Sequence, residues 1–337
     1  MKLKSFFYFF LALVMLFPSF GFAKDNSISN IKKRGVVYCG TNKNNNFLAY
    51  QNDDGVWQGF DAALCRALAG AFLDNKDLIK MVPLKIEDVP QALQSGEIDV
   101  MFGEFQLPAE TEITSNVINI DVLYDDKVML LAHKKENATS LEDYHDAKVC
   151  MARSSVDAYQ FSNFVSRYNL AFQPVYFADR SRAVEGFYLS RCELLVGASS
   201  ELKGIAASKF KKKKNIELLP ETIGLRPIYL MVDKNSLQIG IAAKWIFNAL
   251  KLAESYNITS ENLPTMLGQD DFSLQNLFGN QETLWKKFRA YPHWIRKFII
   301  EEGNFGEMFE RHLGTGTNIG LEKPEPEHGL AAPKPFI

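Results

Sequence analysis

The chain has 337 residues, a hydrophobic content of 47% and a formal net charge of −2 at pH 7. This length suits two domains rather than one. The mild acidity excludes the overall positive charge that is typical of nucleic-acid-binding proteins. The only dense basic run, Phe210 to Asn215, is interpreted as a solvated loop or helix end, with a membrane or nucleic-acid patch as the alternative.

The N-terminus has the three parts of a secretory signal peptide. Lys2 and Lys4 form a positive segment, Phe6 to Phe17 is apolar, and Ala23 ends a small-residue cleavage site. The alternative is a membrane anchor, but a span needs roughly 20 apolar residues and this run is shorter. Removal of residues 1–23 takes away two lysines and no acid, which moves the net charge from −2 to −4. We therefore expect an exported, periplasmic protein.

The four cysteines are Cys39, Cys65, Cys150 and Cys192. Export permits disulfides, and the even count and wide spacing favour two bridges over a metal site. The sequence has no CxxC, and its five histidines form no metal-ligand pattern. The pairs Cys39–Cys65 and Cys150–Cys192 would each remain within one half of the chain, whereas the alternative is four buried free thiols. We expect no metal and no cofactor.

The first part of the chain predicts alternating strands and helices. The elements in chain order are a strand at 36–39, a turn at Asp54-Gly55, a helix ending at Leu73, a strand at 81–86, and a helix, glycine stop and buried strand over 89–103. This order indicates a parallel sheet covered by helices.

A second series of strands and helices follows. Its strands lie at 126–135, 173–178, 192–198 and 226–234, and one more strand ends near residue 151. Its helices begin after residue 155, span 181–191 and run from about 236 to 255. Two α/β units joined by two extended strands suggest two lobes. We expect one lobe from residues 30–127 plus 233–320, the other from 128–232, and an extended, proline-rich tail at 321–337.

Several segments resemble the periplasmic general L-amino-acid-binding proteins of ABC importers. They are "WQGFDAALCRALAGAF", "ALQSGEIDV", "CELLV" and, most specifically, "EEGNFGEMFERHLGTGT". The resemblance implies an α/β, two-lobed periplasmic-binding-protein fold (type II) with two hinge-crossing strands that closes on a ligand. It also implies a monomer that binds a small molecule, either an amino acid or a related polar or amine solute, and delivers it to an ABC permease.

The resemblance further implies a site in the first lobe from which this sequence departs. Family members have a hydroxyl-rich loop after "SGEIDV", followed by an Arg that binds the ligand carboxylate. The Arg position falls on Glu110, and Glu104 to Pro108 replace the hydroxyl-rich run. Glu104 or Glu110 could instead face the cleft and bind a cation, or these glutamates could be solvated.

The second-lobe site departs as well. A Gly-Thr-Thr-type loop of the family corresponds to Arg153, Ser154 and Ser155, which could bind an anion at a helix start. Arg153 could alternatively form a salt bridge across the closed cleft. The family's ammonium-binding Asp corresponds to Ala198, and Glu201, three residues later, could replace it only if the loop takes another path.

Aromatic side chains could form the walls of the cleft. The candidates are Trp57 and Phe105, with Phe47 and Tyr50 nearby. Aromatic residues more often bury area in a core, which is the alternative for Trp57.

We therefore predict the substrate-binding component of an amino-acid-type ABC importer, not an enzyme, with altered specificity. Ordinary L-amino acids are expected to bind weakly. One alternative is a non-transport derivative of the scaffold that serves in sensing or protein interaction. A less favoured alternative is a periplasmic dehydratase or lyase that uses Glu104 and Glu110 as acid and base.

Overall fold

The structure is a computed structural model. It describes residues 25–43, 47–103, 113–153, 155–207, 215–267, 277–278, 282–317 and 320–321. Several features predicted from the sequence lie outside these residues. They are the signal peptide, nearly all of the basic run, the tail beyond Leu321, and Glu104, Phe105, Glu110 and Ser154.

The first strands and helices alternate as predicted. In chain order they are α1 (Ser27–Arg34), β1 (Val37–Asn42), β2 (Tyr50–Gln51), β3 (Trp57–Gln58), α2 (Phe60–Leu73), β4 (Ile79–Leu84), a 3-10 turn (Ile86–Asp88), α3 (Val89–Ser95) and β5 (Val100–Gly103). β1 lies between β4 and β5 and is parallel to both. α3 ends at Gly96, whose φ of 75° is a conformation that glycine adopts without strain. The predicted glycine stop is thus confirmed.

Two long strands cross the molecule. They are β6 (Val117–His133) and β11 (Gly224–Asp233), and they pair with each other in antiparallel fashion. β11 also pairs with β5, and β6 also pairs with β9. The result is one continuous sheet of order β4-β1-β5-β11-β6-β9-β7-β8, with β10 on β6. The predicted pair of crossing strands is confirmed.

The segment between the crossing strands forms the second α/β unit. Its elements are a 3-10 turn (Leu141–Tyr144), β7 (Lys148–Ala152), α4 (Val156–Tyr168), β8 (Gln173–Phe177), α5 (Arg180–Tyr188), β9 (Leu194–Ala198), α6 (Ser199–Ala207) and β10 (Ile216–Leu218). β7 lies between β8 and β9 and is parallel to both. The carboxyl ends of these three strands therefore meet at one edge.

Helices dominate the chain after β11. They are a 3-10 turn (Lys234–Ser236), α7 (Leu237–Ser255), α8 (Leu263–Met266), α9 (Glu282–Lys287), α10 (Trp294–Glu302) and α11 (Phe305–His312). α11 begins with a capping box, in which Asn304 and Glu307 each accept a hydrogen bond from the other's backbone N–H. This box occupies the "GNFGEMFERHLG" motif.

The apolar side chains divide along the sheet. The largest cluster combines buried residues from 28–124 with buried residues from 228–321, and we call it the first core. Two smaller clusters are built only from residues 128–223, and together we call them the second core. The exact lobe boundaries at 127 and 233 remain a prediction.

Both predicted disulfides are present. Cys39–Cys65 joins β1 to α2 with a Cα–Cα distance of 6.1 Å, and Cys150–Cys192 joins β7 to the residues before β9 with a distance of 5.6 Å. Each bridge lies on one side of the crossing strands. Within the described ranges, no helix is both long and apolar enough to cross a membrane.

Candidate ligand-binding cleft

The carboxyl ends of the parallel strands define the candidate site, because open α/β sheets bind ligands outside these ends. β1 ends there with the buried polar residues Thr41 and Asn42. The two cores come into contact in this region. Phe47, after β1, lies so close to Gly204 on α6 that a Cβ at Gly204 would be 2.2 Å from the ring.

The first-core side is built on the start of α2. Asp61 is fully buried in the first turn of this helix and accepts a hydrogen bond from Thr41 Oγ1 at 2.5 Å. An acid in the first turn interacts favourably with the helix dipole. Trp57 is half-buried and packs against the first core, as does Phe47.

The second-core side includes the start of α4. Ser155 is its N-cap, where Oγ accepts the Ala158 N–H at 3.1 Å and donates to the Ala152 carbonyl at 2.9 Å. This hydroxyl therefore stabilises the helix end. The side chain of Arg153 is exposed, and its backbone N–H donates to the Phe177 carbonyl. Arg153 thus places a cation beside the N-terminus of α4.

A buried polar network connects this edge to both crossing strands. Arg226 on β11 forms an ion pair with Asp157 in the first turn of α4 at 3.0 Å. Asp126 on β6 accepts hydrogen bonds from the Ser200 backbone N–H at 3.3 Å and from Ser200 Oγ at 2.6 Å. The starts of α4 and α6 are therefore attached to the crossing strands β11 and β6 by charge-assisted hydrogen bonds.

Arg180 and Glu201 form a second ion pair, close to the pair of Arg226 and Asp157. Nε and Nη2 of Arg180 each lie 2.9 Å from a carboxylate oxygen of Glu201, and Nη1 donates to the Val196 carbonyl. Burial alone would lower the pKa of Arg180, but the Glu201 carboxylate outweighs burial and raises it. Arg180 therefore remains charged although its side chain is only 14% exposed.

The network contains more acids than bases. Asp126, Asp157 and Glu201 face two guanidinium groups, those of Arg180 and Arg226. Burial raises the pKa of Asp126, while the Ser200 hydrogen bond and the Arg226 charge lower it. The network thus has one more carboxyl group than guanidinium groups, and burial favours the neutral form of Asp126.

The structure shows what stands at the expected ammonium anchor. Ala198 ends β9 and is 1% exposed. Glu201 lies one helical turn into α6, and Arg180 engages both of its carboxylate oxygens.

Sequence reasoning identified some residues of this edge and missed others. Arg153 and Ser155 lie together at the α4 start, and Trp57 lies on the first-core side. The network residues Asp126, Asp157, Arg180, Ser200 and Arg226 were missed. The available signal was a charged residue beside an apolar strand, as in "DDKVMLL" and "RPIYLMV". No group of three His, Cys, Asp or Glu residues suited to a metal ion occurs in the described part of the chain.

Comparison with known proteins finds relatives among the binding proteins of importers. No family model matches the chain. The glutamate/glutamine/aspartate/asparagine-binding protein BztA of Rhodobacter capsulatus is 29% identical over 95% of this chain and 94% of its own length. The general L-amino acid-binding periplasmic protein AapJ of Rhizobium johnstonii is 25% identical over 89% of each chain.

A solved structure agrees with these relatives. An ABC transporter periplasmic binding protein from Brucella ovis, with glutathione bound, superposes with a TM-score of 0.77 at 26% identity, covering 88% of this chain and 93% of that one. The homologues are thus amino-acid-binding periplasmic components of ABC transporters, and the fold is that of two-lobed periplasmic binding proteins. The resemblance inferred from the sequence is confirmed.

Proposed function

We propose that this chain is the periplasmic solute-binding component of an amino-acid-type ABC importer and is not an enzyme. As a monomer, it encloses a small polar solute between its lobes and presents the closed form to a permease. The relatives' names support amino acids, and the Brucella ovis protein, with glutathione bound, extends the range to small peptides.

The proposal of altered specificity rests on one observation, which is the pair Ala198 and Glu201. A free L-amino acid needs an acid for its ammonium group, and at the expected position the chain has a buried methyl group. The nearest carboxylate along the chain, that of Glu201, is already bound by Arg180. An ammonium group placed at Ala198 would lose its counter-ion, which costs several kcal/mol when it is buried.

The charge of the site supports a ligand with a cationic group placed elsewhere. The sequence places Glu104 and Glu110 in the first-lobe loop. Arg153, at the start of α4, provides a cation for an anionic group. An amine-bearing polar solute with separated charges therefore fits better than a generic amino acid.

A thermal-shift screen followed by calorimetry tests the proposal. Single L-amino acids are expected to shift the melting temperature little, whereas some amine-bearing solute or small peptide in a broad panel should shift it clearly. A ligand present at a hundred times its dissociation constant stabilises the folded state by about 2.7 kcal/mol. Low-micromolar binding of several L-amino acids would contradict altered specificity, and a panel without any shift would contradict the transport function.

A gain of function tests the two altered positions directly. The double variant Ala198→Asp/Glu110→Arg restores both charged anchors that the resemblance implies, so L-amino acids should bind at least about tenfold tighter than to the parent chain. The matched control is Ala198→Asn/Glu110→Arg, which has the same bulk at residue 198 without the charge. Equal affinities for both double variants would show that residue 198 does not face the ligand.

A further inference from the structure

A second cavity lies in the second core, away from the cleft. It has a volume of about 380 Å³ and lies beside the C-terminal end of α4, whereas the cleft lies at the N-terminal end of that helix. The 13 residues of α4 separate the two ends by roughly 20 Å. A ligand in this cavity would not contact a ligand in the cleft.

The walls of the cavity are mainly aromatic and aliphatic. Phe164 and Tyr168 project from the last turns of α4 with ring centroids 4.8 Å apart, and Phe172, Leu141 and Leu170 contribute further apolar surface. Tyr168 is 59% exposed although it is a large apolar residue. A concave apolar surface of this volume is typical of small-molecule sites.

The charged residues of the cavity are of one sign. Glu142 and Glu221 contribute carboxylates, and the described lining residues include His145 but no Lys or Arg. His145 is itself paired with Asp146 at 2.9 Å. The cavity therefore combines aromatic rings with uncompensated negative charge.

Glu221 is the more informative acid. Its Oε1 accepts the Leu141 N–H at 2.9 Å, while its buried Oε2 has no hydrogen-bond partner within the described chain. A carboxylate with so little compensation in apolar surroundings is costly, and a nearby positive charge would relieve that cost. This is a second observation, independent of the cavity shape, that points to a cation.

We propose that this cavity binds a small organic cation with an apolar body, such as an aromatic amine or a quaternary ammonium compound. Aromatic faces attract such cations through their quadrupole, and the two carboxylates supply the counter-charge. The proposal does not depend on the ligand of the cleft. It gives the protein a second binding site, on the outer part of the second core.

Calorimetric titration of the full chain with benzyltrimethylammonium tests the site. This probe has no carboxylate and no N–H, so it cannot imitate an amino acid in the cleft. We expect saturable binding at a one-to-one ratio, and benzyl alcohol, a neutral aromatic probe, should bind at least about tenfold more weakly. Equal binding of the two probes, or no saturable binding of the cation, would overturn the proposal.

Two variants locate the binding. Glu221→Gln keeps an oxygen for the Leu141 N–H but removes the charge, so affinity for the cation should fall at least about tenfold. Tyr168→Ala, at a largely exposed position, should weaken binding about fivefold even if Glu221→Gln proves poorly folded. The control Glu87→Gln makes the same charge change on an exposed side chain of the other unit. If the two variants lose no more affinity for the cation than the control does, the proposed location of the site is contradicted.

Discussion

The two cores are stabilised by different means. In the first core, α2 has 12 of its 14 residues buried, and four aromatic rings meet edge to face around Phe60. The second core has two thinner clusters on opposite faces of the sheet. One buried ion pair and the hydrogen bonds of Asp126 to Ser200 link its helices to the crossing strands. The difference shows that the unit with less apolar burial also contains most of the fixed charges at the cleft.

The largest expected effect is a loss of packing in the first core. Phe60→Ala removes a fully buried ring that contacts Tyr124, Phe305 and Phe309 at centroid distances of 5.5–5.6 Å. The free energy of unfolding should fall by about 4 kcal/mol, because a large cavity remains. Urea denaturation measures it, with Phe164→Ala in the second core as a comparison at a half-buried ring. Equal losses of unfolding free energy at both positions would show that the two cores do not differ in how strongly apolar packing stabilises them.

A slightly smaller loss is expected from the ion pair in the second core. Arg226→Met leaves Asp157 and Asp126 buried without their cation, which should lower the free energy of unfolding by about 3 kcal/mol. The double variant Arg226→Met/Asp157→Leu should recover part of this loss, because no unpaired charge remains at α4. If the single variant is as stable as the parent chain, the network does not stabilise this edge.

A third effect depends on pH and concerns His312, the last residue of α11. Burial, together with the charges of Arg311 and Arg66, lowers the pKa of His312 to about 4 from its ordinary 6.5. Above pH 6.5 the imidazole is neutral in both the folded and the unfolded chain. As the pH falls from 6.5 to 4, only the unfolded chain gains the proton, so stability should fall by about 2 kcal/mol.

His312→Gln provides the comparison for this pH effect. The variant has no imidazole, so the part of the stability loss between pH 6.5 and 4 that comes from this residue should disappear. Thermal unfolding in matched buffers measures both proteins. Parallel pH profiles for the variant and the parent chain would show that His312 is protonated in the folded state as readily as in the unfolded one.

The smallest expected effect concerns the contact between the two cores. A methyl group at Gly204 would overlap the Phe47 ring, so Gly204→Ala should disfavour lobe closure by about 1 kcal/mol. Ligand affinity should then weaken about fivefold, since closure and binding are coupled. Gly70→Ala is the control, because a Cβ there meets its nearest atom, in Phe298, at 3.4 Å. Equal ligand affinities of Gly204→Ala and the control would show that the contact between Phe47 and Gly204 plays no part in lobe closure.

The fold was largely predictable because its signals are local. Apolar periodicity located α2, α7 and most strands, and glycines marked where helices end. β6 was predicted too short, since Asp121 and Asp125 interrupt its apolar pattern at residues 117–125 although the strand includes them. The strands β2 and β3 have two residues each, which is too short for any periodicity.

The site was less predictable because its partners are distant in sequence. Asp126 and Ser200 are 74 residues apart, and Arg226 and Asp157 are 69 apart. No local pattern reports such pairs, since they depend on how the crossing strands align with the helix starts. The assignment of the ammonium anchor to Ala198 stays a prediction, and the resemblance could not show that Arg180 engages Glu201.

The order of the two cores along the chain has a consequence for folding. The second core is built from residues within the contiguous segment 128–223, whereas the first core combines residues up to 124 with residues from 228 onward. While the exported chain folds, the second unit can complete its packing before α2 has packed against α7 and α11. The apolar side chains of α2 are shielded from water only when these last helices pack against them. Until that point α2 is exposed to aggregation. Until then, the Cys39–Cys65 bridge is the disulfide that links α2 to β1.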